Sequence, residues 1–247
     1  LPYGWPKKPW KQRGERALRS EDASPTARLV HDLAGEGGSV LDIGAGTGRA
    51  SFPLARLGHP VTMIEPDPTM LESLAELARE QPVEVVAGAW PDAAAQIPVH
   101  AVALSAHVVY DVPELLPFLQ AADNKASVAV VIEMFPEHPW SVLREPYKEF
   151  HRLDRPHGPT GDDLIEVVRM LGRAPVQEKW SRPSDVFYES LDEMVAAIAR
   201  RLVLPRSRFP ELASYLSTRV VGAPGRLQMP PLEREILTIW WHTTDSL

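Results

Sequence analysis

The 247-residue chain contains no cysteine. That excludes disulfides, thiolate metal sites and cysteine nucleophiles. No apolar run approaches the ~18 residues needed to cross a bilayer, and no signal-peptide apolar region opens the sequence. A soluble, cytoplasmic protein is the expectation. Positive charge is not in excess either: 26 Lys and Arg stand against 33 Asp and Glu, a formal charge of −7. Such a chain has no cation surplus with which to release counterions from a phosphate backbone, so a nucleic-acid partner is disfavoured. Internal repeats and low-complexity linkers are also missing. The 25 prolines are scattered over loops and helix starts, which favours one continuous domain over residues 1–247.

What is present is a globular composition, 44% apolar and 24% charged, long enough for a large core with an added lid. Lys7, Lys8, Lys11, Arg13, Arg16 and Arg19 crowd the first twenty residues, and 1–22 has no clear period. The basic cluster reads as a solvated arm. Tyr3, Trp5 and Trp10 in the same stretch instead favour docking over a pocket, with Trp10 touching a substrate.

From there short apolar runs alternate with amphipathic ones. Ser24 and Pro25 look like an N-cap and first helical residue, with Gly35 as the stop. Residues 39–43, 59–65, 83–87, 101–105 and 126–133 read as strands. Helices are expected at 50–57, from Asp67–Pro68 onward, and at 111–120, begun by Asp111 and Pro113. This alternation indicates a parallel sheet covered on both faces. Beyond Met134 the pattern loosens. Residues 135–160 look like a long connection, followed by a helix around Leu164–Leu171, a strand at 176–180, a helix opened by the capping box Ser190–Glu193, a short helix at 212–216 and a final strand at 236–242. Long loops in compact domains are usually functional, so 134–160 and 183–230 are read as the walls and lid of a substrate pocket.

The densest chemical signal is Val40-Leu41-Asp42-Ile43-Gly44-Ala45-Gly46-Thr47-Gly48, where a strand turns into a helix. Gly44 permits the tight turn, Gly46 lets a ligand approach the backbone, and the amides of the helix start favour a carboxylate or phosphate. Asp42 is placed to accept from an ammonium group. Glu65 ends the second strand 21 residues after Gly44, where a carboxylate can accept from ribose hydroxyls. Dinucleotide enzymes share both features, but their third glycine would fall at position 49, which is Arg49.

The Asp42-x-Gly-x-Gly-x-Gly order, with Ile64-Glu65-Pro66-Asp67-Pro68-Thr69-Met70, resembles class I S-adenosylmethionine-dependent methyltransferases. The resemblance covers residues 38–135. It implies a doubly wound, Rossmann-like α/β domain with a mostly parallel seven-stranded sheet, helices on both faces, an antiparallel last strand and a helical or loop lid. It also implies S-adenosylmethionine as donor, held by Asp42, Gly44, Ala45, Gly46 and Glu65, with Pro66, Asp67 and Met70 beside the adenine. Two features depart from the family pattern. Gly88 and Ala89 stand where an acid often receives the adenine, leaving Ala89 and Trp90 amides to do so, and His100 stands where Asp is common. Ser105 and Ala106 should lie near the sulfonium. His107 is the first candidate for a general base, with Tyr110, Glu133 and His138 facing the substrate. Glu133, Glu137 and His138 lack recognisable ligand spacing, so no metal is expected.

The family's tetrapeptide for amino-group methylation is absent after the fourth strand, where Ser105-Ala106-His107-Val108 stands. The expected reaction is in-line methyl transfer to an O, N or C nucleophile of a small molecule. An NAD(P)-dependent oxidoreductase and a non-catalytic scaffold of the same fold stay open as rivals.

Overall fold

The computed structural model describes residues 7–19 and 23–244, the side chains of residues 7–10 and 13 excepted. Trp5 and the side chain of Trp10 therefore lie outside the described residues, and with them the substrate contact expected of Trp10. The chain divides into two compact units. Unit 1 comprises Leu1–Met134, Gly161–Lys179 and Leu237–Leu247; unit 2 comprises Phe135–Thr160 and Trp180–Ile236.

Unit 1 is built on the sheet, apart from residues 180–183 of the sixth strand and 233–236 of the seventh, which the division gives to unit 2. The strands are β1 (Val40–Ile43), β2 (Val61–Glu65), β3 (Val83–Ala87), β4 (His100–Ala106), β5 (Ala126–Met134), β6 (Val176–Pro183) and β7 (Glu233–His242), in the order β3-β2-β1-β4-β5-β7-β6. β1 runs parallel to β2 and β4, β2 to β3, and β4 to β5. β7 is antiparallel to β5, with Ile239 opposite Ile132. Every residue of β1 and β2 is buried, as the near-continuous apolar runs of a doubly covered parallel sheet require. Helices α1 (Lys7–Arg19), α2 (Pro25–Ala34), α3 (Ser51–Arg56), α4 (Pro68–Ala78), α5 (Leu115–Asn124) and α7 (Gly161–Met170) belong to this unit. The chain lays β1, β2 and β3 outward in one direction, then returns to add β4 and β5 on the other side of β1. With right-handed crossovers this places helices on both faces. Phe52, Leu54, Met63, Leu74 and Leu104 fill the core.

Local chemistry sets the helix starts. The Ser24 hydroxyl accepts from the Ala27 amide at 3.1 Å with Pro25 behind it, and the Asp67 carboxylate accepts from the Thr69 and Met70 amides at 2.8 and 3.0 Å. In unit 2, α6 (Arg144–His151), α8 (Leu191–Arg201) and α9 (Phe209–Ser217) enclose a separate core of Phe150, Met194, Ile198, Leu202, Leu212 and Leu216. Ser190 caps α8 through the Glu193 amide at 3.2 Å, and the Glu193 side chain reaches back to the Glu189 amide at 2.7 Å.

Three expectations are corrected. Residues 7–19 of the arm form a helix, α1, that packs within unit 1 through small residues, while Arg16 and Arg19 stay exposed. Gly14 lies so close that a Cβ there would meet Leu77 and the Thr47 carbonyl oxygen. Lys11 pairs with Glu76 at 2.7 Å, and Arg56 donates to the Ala17 carbonyl at 2.8 Å. Asp111 does not open α5. It ends a 3-10 turn, Val109–Asp111, because Pro113 holds Val112 extended (ψ 108°), and the helix starts only at Leu115. Residues 135–160 are not merely a connection, since they contain a 3-10 turn, Pro139–Leu143, running into α6.

Candidate active site

The strand order reverses between β1 and β4, and in open α/β sheets that switch point is where ligands sit, beyond the carboxyl ends of the strands. Four strand ends deliver the polar residues there: Asp42 from β1, Glu65 from β2, Ser105 to His107 from β4, and Glu133 from β5. All but Ala106 and His107 are buried.

The glycine turn leaves β1 with Gly44, Gly46 and Gly48 at φ 76°, 58° and 81°, the left-handed region in which only glycine is unstrained. The turn differs from expectation in its amides. Those of Gly44 and Ala45 donate to the Ile64 carbonyl, Gly48 donates to Ala45, and Gly46 donates to Glu65 Oε2 at 2.7 Å. They are engaged internally rather than offered to an anion. What the turn does offer is room, since a Cβ on Gly46 would meet nothing within 4 Å.

Glu65 Oε1 accepts from the Asp67 amide at 2.8 Å, so one carboxylate fastens the turn after β1 to the turn after β2. Burial raises its pKa, and the Asp67 and Gly46 amides pull it back. Asp42 is fully enclosed. Its Oδ2 accepts from the Ser51 hydroxyl, while Oδ1 is buried with no partner among the described residues. Burial pushes its pKa up to about 6, aided by Glu65 and Glu133 and opposed by Ser51 and Arg49.

At the end of β5, Glu133 Oε1 lies 2.6 Å from Arg49 Nη2 and 3.3 Å from His107 Nε2. Thr26 of α2 adds a hydroxyl hydrogen bond, and Thr26 itself meets Thr238 of β7 at 2.7 Å. Burial alone would raise the Glu133 pKa. Arg49, His107 and Thr26 overcome it and hold the carboxylate ionised, well below the usual range. His107 sits at φ 60°, its amide bonded to the Glu133 carbonyl at 2.7 Å, and its Nδ1 lies 3.1 Å from the Tyr110 hydroxyl. A non-glycine residue in this conformation is uncommon and persists where its surroundings fix it.

The structure thus brings together Asp42, Gly44, Ala45, Gly46, Glu65, Ser105, Ala106, His107, Tyr110 and Glu133 around these strand ends. Several residues read as cofactor contacts are engaged within the protein. Asp67 caps α4, as the Asp67–Pro68 start predicts, and Met70 is buried in that helix. The Ser105 hydroxyl donates to the Ile43 carbonyl at 3.0 Å, tying β4 to β1. Trp90 donates from Nε1 to the Phe118 carbonyl at 3.0 Å, which fixes the indole against α5. Gly88 donates its amide to the Glu65 carbonyl, and a Cβ there would come within 3.0 Å of the Ala93 side chain. Pro66 directly succeeds β2, and Ala89 lies just beyond the end of β3. Glu133 was expected to face substrate, yet its carboxylate is enclosed by Arg49, His107 and Thr26. His138 belongs to unit 2, where its Nδ1 accepts from the Trp140 amide at 3.1 Å. Arg49, read in the sequence only as a missing glycine, and Thr26 are the functional residues that sequence reasoning missed.

Asp42, Glu65 and Glu133 against Arg49 make a site of net negative charge, suited to a ligand with cationic groups. The unpaired Asp42 Oδ1 and the open space at Gly46 fit the ammonium and backbone-hugging parts of S-adenosylmethionine. Because an ammonium prefers ionised Asp42, affinity for S-adenosylhomocysteine is expected to rise with pH, with a midpoint of about 6. Asp42→Asn should flatten the profile. Calorimetric titrations across that range check this, and a wild-type affinity independent of pH would contradict it.

Residues 40–117 match the model of a methyltransferase domain, and the resemblance drawn from the glycine turn is borne out. No curated protein matches the sequence. Solved structures match over nearly the whole chain. The YcgJ protein of Bacillus subtilis is 14% identical with a TM-score of 0.58, over 90% of this chain and 99% of its own. A TehB-like SAM-dependent methyltransferase of Corynebacterium glutamicum is 18% identical at 0.53, over 95% and 96%. Magnesium protoporphyrin IX methyltransferase of Synechocystis, with bound SAH, is 13% identical at 0.53, over 94% and 85%. Identities this low establish a common fold.

Proposed function

From a chain that carries a methyltransferase domain on the class I fold, we propose transfer of a methyl group from S-adenosylmethionine to a small-molecule acceptor. The observation that carries the reading is the buried, unpaired Asp42 Oδ1 beside an unobstructed Gly46, within a pocket end that is net negative. A dinucleotide would need free amides at this turn for its pyrophosphate, and here those of Gly44, Ala45, Gly46 and Gly48 are engaged. The excess of acidic residues favours a small acceptor over nucleic acid or an anionic membrane surface. No helix among the described residues is long and apolar enough to cross a membrane, and we assign the protein to the cytoplasm. We read segments 134–160 and 183–230 as the parts of the chain that choose the acceptor.

When bound, S-adenosylmethionine supplies a methyl group made electrophilic by its sulfonium. Asp42 and Glu65 hold the donor, the glycine turn admits it, and His107 receives the acceptor's proton through Tyr110. A carboxylate only accepts hydrogen bonds, so the imidazole presents Nε2–H to Glu133 and leaves Nδ1 to accept from the Tyr110 hydroxyl. A proton leaving an acceptor O–H or N–H passes onto the Tyr110 oxygen as Tyr110 passes its own to His107 Nδ1. The imidazolium so formed faces Glu133, which Arg49 keeps ionised.

Two measurements test this. Methyl-tritiated S-adenosylmethionine, offered to fractionated small metabolites, to protein and to RNA, should label the small-molecule fraction. Label confined to protein or RNA would overturn the acceptor class, and no transfer at all would favour a non-catalytic scaffold. Tyr110→Phe and His107→Gln should each lower kcat by about 100-fold or more and leave S-adenosylhomocysteine affinity unchanged. Unaltered kcat in both would remove the proton path.

A further inference from the structure

Unit 2 holds an arginine, Arg155, with a buried nitrogen that no described group bonds. The 3-10 turn Pro139–Leu143 and α6 form one helical run. Trp140 and Tyr147 stand seven positions apart on it, about two turns, and share a face with Arg144 between them. After α6 ends at Arg152 (φ 58°), the chain folds back and lays Arg155 over this face. The guanidinium carbon is 5.6 Å from the Trp140 ring centre and 5.2 Å from that of Tyr147. Arg155 Nη1 is shielded from solvent without a hydrogen-bond partner among the described residues, and so is Arg144 Nε.

The acids of this segment that form ion pairs are already matched. Glu137 takes Arg144 at 2.9 Å and His157 at 3.6 Å, and Asp154 takes Lys148 at 2.9 Å. Ring faces attract a cation but cannot accept hydrogen bonds from all its edges, and a buried N–H without an acceptor is costly. Two aromatic walls fix the guanidinium plane, and a fixed guanidinium is a fork that matches a carboxylate. Arg155 itself is only partly buried, so part of the side chain is open to a ligand. Arg144 is paired to Glu137, so the single guanidinium between the two rings suits a monoanion better than a phosphate dianion.

We propose that Arg155, set between Trp140 and Tyr147 with Arg144 alongside, is a receptor for the carboxylate of a small organic acid.

The test titrates benzoate, phenyl phosphate and benzamide into the full chain, wild type, Arg155→Met and Arg155→Lys, by ligand-observed NMR. Benzoate should bind the wild type. Arg155→Met should weaken it by about tenfold or more, and Arg155→Lys, which keeps charge but not the planar fork, by an intermediate factor. Benzamide should bind more weakly than benzoate and be indifferent to both changes. No benzoate binding, binding that survives both substitutions, or benzamide binding equal to benzoate overturns the proposal. Phenyl phosphate binding tighter than benzoate also overturns it, in favour of a phosphate monoester. S-adenosylhomocysteine titrated into the same proteins should bind all three alike. Its failure with wild type would remove the donor assignment and leave the carboxylate result standing. Should Arg155→Met not fold, shown by its circular dichroism, Arg155→Lys decides alone.

Discussion

Glu133→Gln is expected to lower the unfolding free energy by about 2–3 kcal/mol and methyl transfer by about 100-fold or more. The change keeps the shape of the side chain and removes its charge. Arg49 then loses its nearest carboxylate in a largely enclosed place, with Asp42 still acting on it, and His107 loses the group that stabilises its protonated form. Breaking a fully buried pair costs about 3–5 kcal/mol; the smaller figure reflects the 28% exposure that the Arg49 side chain retains. Urea unfolding measures the first effect and steady-state kinetics the second. Adding Arg49→Met to Glu133→Gln should restore part of the stability, because the largely enclosed cation that lost its closest carboxylate is removed with it, but none of the activity.

The pH dependence carries the same signature. The folded pKa of Glu133 lies below its ordinary value of 4.5, so its stabilisation is complete above about 4.5 and is lost as pH falls further. Glu133→Gln should lack that component of acid destabilisation. Equal stability of wild type and variant near neutral pH would show that the Arg49–Glu133 pair contributes nothing.

Glu65→Ala is expected to weaken S-adenosylhomocysteine binding by about 100-fold. Two contributions add. The acceptors assigned to the ribose hydroxyls disappear, and so does the clamp between the Gly46 and Asp67 amides, leaving two N–H groups in a buried place without acceptors. Glu65→Gln should be nearly as damaging, because its NH2 must face one of those N–H donors. Isothermal calorimetry reads both variants. An affinity within about threefold of wild type for Glu65→Ala would refute the ribose assignment.

Much of this was legible in the sequence, and the reasons differ by element. β3 falls on Val83–Ala87 as read, and Asp67 caps α4 as read, because short-range chemistry determines both. The glycine turn was legible as a place where a ligand meets a strand end. Its internal hydrogen bonding was not, since the Gly46 amide is claimed by Glu65, 19 residues away. α1 escaped the pattern because it docks through Gly14 and Ala17, residues too small to mark an apolar face. Pro9 in its first turn is tolerated but reads as a break. The largest gap was Glu133. It was visible as an acid at a strand end, but its partners Arg49 and Thr26 join it from distant parts of the chain, and Arg49 lies 84 residues away. Arg49 entered the sequence argument as a residue that excluded a dinucleotide motif. The fold shows it also to be the counter-ion that keeps Glu133 charged beneath His107.

The wild-type arm of the calorimetric experiment tests the central claim most directly. S-adenosylhomocysteine and NADH are titrated separately into the full chain near neutral pH. The account predicts saturable binding of S-adenosylhomocysteine and none of NADH; binding of NADH with no heat from S-adenosylhomocysteine would contradict it.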